Sequence, residues 1–247
     1  MAEVDLGRLA EAYDHRPETE SEVRVAAMVE AARPGPGDLV VDVGGGRGRQ
    51  ASRLAEASGA TVVVIDPSRP MVQASRRRGC PAAVGRGEQL PLDDATAVLT
   101  YFHLSIHHGD WRAMLGEAWR ITRPGGVVFV WTMDPAYHRS SFLARWFPRV
   151  GVIDAERFPA VSDLSAALES LGGIPVLHSA SVEVGRVAHE WIAAVRAGYV
   201  STLHLLDATE IEAGLARFEA AHPDPDEVVR YRLEFTGVSS VRSSVES

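Results

Sequence analysis

Leu39-Val40-Val41-Asp42-Val43-Gly44-Gly45-Gly46-Arg47-Gly48 is the stretch on which the reading of the fold turns. Its first half is short, apolar and β-branched, which is how a strand buried on both faces of a parallel sheet reads. Glycines at 44, 46 and 48 let the chain turn tightly and approach a ligand without side-chain interference. Ala51, Leu54 and Ala55 then share one helical face, so the glycine cluster joins a strand to a helix.

The pattern extends in both directions. Upstream, Arg33-Pro34-Gly35-Pro36-Gly37-Asp38 is a breaker cluster that closes a helical arm over residues 1–32. Downstream, Thr61–Ile65, Ala82–Val84, Ala97–Tyr101 and Val127–Trp131 read as further strands. Helical segments separate them, over 68–78 and around Trp111, Met114, Leu115, Ala118 and Trp119. Alternating strands and helices with short turns predict a doubly wound, mostly parallel α/β sheet. After Trp131 the pattern changes. Residues 135–150 are aromatic and arginine-rich without periodicity, too irregular for a core helix. Ser162–Leu171 and two segments within 187–221 read as helices, the last opened by the capping-box start Asp207-Ala208-Thr209-Glu210. Pro175–Val184 and Val228–Phe235 read as strands, and the serine-rich tail 239–247 as frayed. The expected organisation is a helical arm over 1–36, a cofactor-binding core over 37–134, and lid helices with completion of the sheet over 135–247.

Composition narrows the function. The net charge of −8 disfavours a phosphate backbone as partner. Lysine is absent, which removes Schiff-base chemistry, a P-loop lysine and a Tyr-x-x-x-Lys pair. The single cysteine, Cys80, allows no internal disulfide and no C-x-x-C motif. No apolar run reaches the length of a membrane span. The expectation is a cytoplasmic protein, monomeric or homodimeric, with no membrane or nucleic-acid partner and no metal.

The turn has the spacing G-x-G-x-G, with Asp42 two residues ahead of the first glycine. The third glycine of a dinucleotide fingerprint is replaced by Arg49, which argues against an NAD-dependent oxidoreductase. Asp66, 22 residues after Gly44, ends the second strand, where a carboxylate can accept from both ribose hydroxyls.

Together with Gly85-Arg86-Gly87-Glu88-Gln89-Leu90-Pro91-Leu92, Ile106-His107-His108 and Arg120-Ile121-Thr122-Arg123-Pro124-Gly125-Gly126, these segments resemble class I S-adenosylmethionine-dependent methyltransferases of the small-molecule branch. They follow family order and spacing over roughly residues 38–134. The resemblance implies a Rossmann-like seven-stranded sheet with the last strand antiparallel, S-adenosyl-L-methionine over the carboxyl ends of the first strands, and a helical lid. The acceptor it implies is a small molecule, methylated on oxygen, nitrogen or carbon. On the cofactor side it implies Asp42 at the glycine-loop amides and the methionine end, Gly44, Gly46 and Gly48 in the turn, and Asp66 at the ribose. It further implies Met71 against adenine, Gly87 and Glu88 in the adenine strip, and Tyr13 folded over the carboxylate. Arg86 stands where the family carries an acid; a guanidinium offers donors only, so Glu88 or a backbone carbonyl would take the adenine amine.

His107, His108 and His138 are the candidate general bases, because imidazole titrates near neutrality. His103 could face the sulfonium, and Tyr137 and His138 are expected to line an acceptor pocket. Two other functions compete: a methyltransferase-like protein that holds the cofactor without transferring its methyl, and the oxidoreductase. A nucleic-acid methyltransferase would carry Asp/Asn-Pro-Pro-Tyr; the segment after the fifth strand is Thr132-Met133-Asp134-Pro135-Ala136.

Overall fold

In the computed structural model, residues 22–243 are described. Tyr13 lies outside them. Their elements run α1 (Glu22–Ala32), β1 (Leu39–Val43), α2 (Arg49–Ser58), β2 (Thr61–Asp66), α3 (Arg69–Arg77), β3 (Ala82–Val84), β4 (Ala97–His103), α4 (Trp111–Ile121) and β5 (Thr122–Thr132). Three short helices follow, α5 (Pro135–Ser140), α6 (Phe142–Trp146) and α7 (Pro148–Arg157), then α8 (Val161–Ser170), β6 (Pro175–Val187), α9 (Ala188–Ala197), α10 (Ala208–Ala221) and β7 (Val228–Val241).

The seven strands form one sheet in the order β3-β2-β1-β4-β5-β7-β6. β1 pairs in parallel with β2 and β4, placing Asp42 beside Val64 on one side and Tyr101 on the other. β7 runs antiparallel to β5, from Val127↔Val241 to Thr132↔Thr236. Consecutive burial of Val40, Val41, Asp42 and Val43 shows that both faces of β1 are covered, as its unbroken apolar run requires. Val41, Val43, Ile65, Leu115, Ala118 and Val128 belong to one core cluster beside the sheet. Burying each large aliphatic side chain contributes about 1.5–3 kcal/mol.

Two sequence expectations are corrected. Ser239 and Ser240 are not in a frayed tail: they are buried in β7, opposite Phe129 and Val128. Strand pairing satisfies their backbone, and the Ser239 hydroxyl bonds His178 at 2.8 Å. Residues 135–150 are helical rather than irregular. Asp134 caps α5 through the Ala136 amide and Ser141 caps α6 through the Ala144 amide, so local capping overrides the missing periodicity.

The chain divides into two compact units. Of the described residues, one takes 22–133, Phe158–Ala180 and 235–243; the other takes Asp134–Arg157 and Ser181–Glu234. Segment 158–180 falls in the first of these units, with Leu164 and Leu168 buried in the core cluster. The other unit has its own apolar centre of Trp146, Phe147, Trp191, Leu215 and Phe218. Its helix α10 opens with the capping box: the Asp207 carboxylate accepts the Glu210 amide and the Glu210 carboxylate accepts the Asp207 amide. No helix among the described residues is long and apolar enough to cross a membrane.

Candidate functional site

The glycine turn occupies the carboxyl end of β1. Gly44, Gly46 and Gly48 have φ of 71°, 55° and 72°, left-handed values that cost an L-residue about 1–2 kcal/mol each. Space is equally restrictive. A Cβ on Gly44 would lie 2.6 Å from the Ser105 Cβ, and one on Gly48 would lie 2.6 Å from the Ser75 Oγ. The Ser105 hydroxyl donates to the Val43 carbonyl at 2.6 Å, fastening the loop after β4 to the end of β1.

Asp66 organises this turn from β2. Its Oδ2 accepts the Gly46 amide at 2.9 Å and its Oδ1 accepts the Ser68 amide at 2.8 Å. Burial raises its pKa, and these two amides oppose the rise. Each carboxylate oxygen keeps a second lone pair, so the acid can accept further donors. The expectation that Asp42 holds the loop amides is not met: the task belongs to Asp66. The Asp42 carboxylate instead fills the space a side chain at Gly45 would need. Neither of its oxygens makes a hydrogen bond among the described residues. Burial pushes its pKa up to about 7, against an opposing effect of the Tyr101 hydroxyl and with a smaller upward effect of Asp66. Asp42 and Tyr101 stand close, yet fall short of hydrogen-bond geometry, and the Tyr101 hydroxyl is likewise buried without a bond.

Other expected cofactor residues surround the turn. Met71 is buried, and its Sδ lies 3.7 Å from where a Cβ on Gly46 would be. Gly87 gives the close approach to Val43 and Met114 that a side chain would block. Glu88 has a structural task, accepting the Asp110 amide at 3.2 Å just ahead of α4 and pairing with Arg86 at 3.6 Å.

His103, the last residue of β4, joins a network that the sequence did not announce. Its Nε2 receives the Arg24 Nε–H at 2.9 Å and lies 2.7 Å from the Gln50 amide nitrogen. Arg24 is 1% exposed and lies over the Phe235 ring at 3.9 Å. Its carbonyl accepts the Trp131 indole N–H at 3.3 Å. An arginine in an amphipathic helix ordinarily reads as solvated, so nothing in the sequence pointed inward.

The candidate bases belong to different units. His107 is stacked on Phe158 at 3.7 Å, with His108 tilted against it at 4.1 Å. His138 lies in the other unit, buried, its Nδ1 3.7 Å from the Asp154 carboxylate. Burial brings its pKa down to about 4; Asp134 opposes the fall and Arg157 reinforces it. So weak a base takes up few protons at neutral pH. Tyr137 donates its hydroxyl to the Arg232 carbonyl at 3.0 Å. Among the described residues no group of three or more His, Cys, Asp or Glu is placed to hold a metal.

Comparison with known proteins agrees with this geometry. Residues 41–130 match the model of a family described as a methyltransferase domain. Demethylmenaquinone methyltransferase of Corynebacterium kroppenstedtii is 38% identical over 98 residues, covering 39% of this chain and 42% of that protein. The ubiquinone/menaquinone biosynthesis C-methyltransferase UbiE of Rubrivivax gelatinosus is 33% identical over 135 residues, covering 50% of this chain and 53% of that protein. This chain thus spans about half the length, or less, of these curated relatives. A solved putative methyltransferase from an antibiotic biosynthesis pathway of Anabaena variabilis superposes with a TM-score of 0.70 at 22% identity, over 89% of this chain and 98% of that one. The fold is that of the class I methyltransferases.

Proposed function

We propose that the chain is an S-adenosylmethionine-dependent methyltransferase acting on a small-molecule acceptor. The observation that carries the proposal is the glycine turn clamped by Asp66, with the unsatisfied Asp42 carboxylate buried against it. A buried carboxylate without hydrogen bonds is costly unless a ligand supplies donors or charge. The cofactor has what these residues lack: ribose hydroxyls for the remaining lone pairs of Asp66, and an ammonium group whose field favours an ionised Asp42. The residues present therefore fit the group. Asp66 would hold the ribose, Met71 and Gly87 would border the adenine side, and Asp42 with Gly44, Gly46 and Gly48 would hold the methionine end.

When bound, the cofactor supplies an electrophilic methyl on a sulfonium. The chain's own work is then to align the acceptor and exclude water, and proximity of this kind can lower a barrier by about 7–11 kcal/mol. A base is needed only for an acceptor that carries a tightly held proton. His107 and His108 are the residues we assign to that task. The names of the curated relatives support a small organic acceptor, and we carry over that class rather than a particular molecule. One buried cysteine without a disulfide partner supports a cytoplasmic setting.

Calorimetry tests the first half: S-adenosylhomocysteine should bind at micromolar levels and more tightly than NAD. Transfer of a labelled methyl to members of a metabolite mixture tests the second. Tight binding with no transfer to any acceptor would favour a cofactor-holding protein instead.

A further inference from the structure

Segment 85–96 links β3 to β4 with irregular backbone, and its bridge pairs Arg86 with Gln89. Helix α4 holds it at both ends. At the start of the helix the Asp110 amide donates to the Glu88 carboxylate at 3.2 Å. At the end, Arg120 turns its guanidinium onto the segment. Its Nη2 donates to the Leu90 carbonyl at 3.1 Å. Its Nη1 donates to the Leu92 carbonyl at 2.9 Å and to the Asp94 carboxylate at 2.6 Å. Glu117 grips the same guanidinium through both oxygens at 2.7 Å and accepts the Leu90 amide at 2.8 Å.

The anchor is itself held. The Arg120 carbonyl accepts the Ala95 amide at 3.0 Å and the Arg242 Nη1–H at 2.8 Å. Ala95 has φ of 56°, a left-handed value that a residue other than glycine keeps where its surroundings hold it. A planar guanidinium suits such a set of acceptors, whereas an ammonium on a flexible stem does not reproduce it. The Arg120 hydrogen bonds hold the Glu117 carboxyl below its ordinary value, so the pair stays ionised at neutral pH.

The other end of the segment lies at the candidate site. The Gly85 amide donates to the Asp66 carbonyl at 3.2 Å, so the strip leaves β3 beside the acid assigned to the ribose. Gly87 borders the adenine side on that reading, packed closely on Val43 and Met114. A base one glycosidic bond from the ribose meets what residues 85–88 present. Bonds at Leu90, Leu92 and Asp94 fix where those residues stand.

We propose that Arg120 and Glu117 are positioning residues for the cofactor's adenine: from the end of α4 they hold strip 85–92 where it meets the base, without touching the cofactor themselves. The proposal rests on the methyltransferase reading.

The test compares S-adenosylhomocysteine with S-ribosylhomocysteine, which keeps the ribose, the sulfur and the amino-acid end and lacks the base. Arg120→Lys and Glu117→Gln keep side-chain size and break the clamp. Each should weaken S-adenosylhomocysteine about tenfold, or about 1.4 kcal/mol, the scale of ordering a strip no longer ordered in advance. Ribosylhomocysteine should stay within about twofold, because the lost order concerns the base alone. Affinities are referred to the folded fraction read by circular dichroism. In both variants the Leu90 amide should exchange its hydrogen about tenfold faster, while the strand amides of Val41 and Val128 keep their rates. One measurement needs no variant: in the unaltered protein S-adenosylhomocysteine and 5′-methylthioadenosine, which both carry adenine, should slow Leu90 exchange relative to Val41, and ribosylhomocysteine should not. Equal weakening of both ligands, unweakened S-adenosylhomocysteine, unchanged Leu90 exchange in the variants, or base-independent slowing in the unaltered protein would overturn the proposal. Failure of the unaltered protein to bind S-adenosylhomocysteine would instead remove the methyltransferase reading, and this proposal with it.

Discussion

The carboxylate of Asp66 accepts the amide of Gly46 at 2.9 Å, so the end of the second strand holds the middle of the turn that follows the first. An acid expected to serve only a ligand is therefore part of the scaffold as well.

Asp66→Ala should consequently damage the ligand-free protein. Losing the acceptor for the Gly46 and Ser68 amides should cost about 2–3 kcal/mol of stability, since both are bonds to a charged group within a buried site. Urea denaturation of the ligand-free variant measures this, and an unchanged midpoint would mean the clamp does not exist in solution. Affinity for S-adenosylhomocysteine should fall in the same variant.

Gly44→Ala should be disruptive for two reasons, a left-handed φ of 71° and a Cβ placed 2.6 Å from the Ser105 Cβ. We expect a loss of more than about 1 kcal/mol. Combining it with Ser105→Gly removes the clash and leaves the dihedral strain, so the double variant should lose less than the two single changes added together. Strict additivity in the denaturation data would show that the two backbones do not approach this closely.

Asp42 should make stability depend on pH with a definite sign. Its folded pKa of about 7 lies above the ordinary carboxylate value of 3.8, so its contribution is most favourable below pH 3.8 and is lost as pH rises through 7. The full loss corresponds to at most about 4 kcal/mol. Asp42→Asn should therefore gain on the unaltered protein between pH 4 and pH 8. A difference between the two that stays flat over this range would show that Asp42 is ionised throughout.

His138 acts in the opposite direction. Its folded pKa of about 4 lies below the ordinary imidazole value of 6.5, so the unfolded chain takes up a proton first as pH falls. Stability should decline from pH 6.5 toward 4, and His138→Gln should flatten that decline. A His138 ring resonance that titrates near 6.5 in the folded protein would contradict the assignment.

Much of the fold was legible from residue order. The strand Leu39–Val43, the glycine cluster and Asp66 predict a strand–turn–helix unit with an acid beside it, because β-branched runs, positive-φ positions and strand ends are local properties. The capping box at Asp207 was legible for the same reason.

Which group bonds which was not legible, because hydrogen bonds between strands depend on register and side-chain direction. Asp42 and Asp66 look alike in sequence; only the folded turn gives the Gly46 amide to one and leaves the other buried without a bond. Arg24 reads as a surface residue of a helix, and only packing against Phe235 and His103, 79 positions away, turns it inward. Ser239 and Ser240 read as tail, yet the antiparallel edge of β5 provides their partners. Local chain chemistry thus determined the elements and the glycine turn. The tertiary structure decided the partners of each polar group, since burial makes a charge or hydrogen-bonding group depend on neighbours that sequence distance does not reveal.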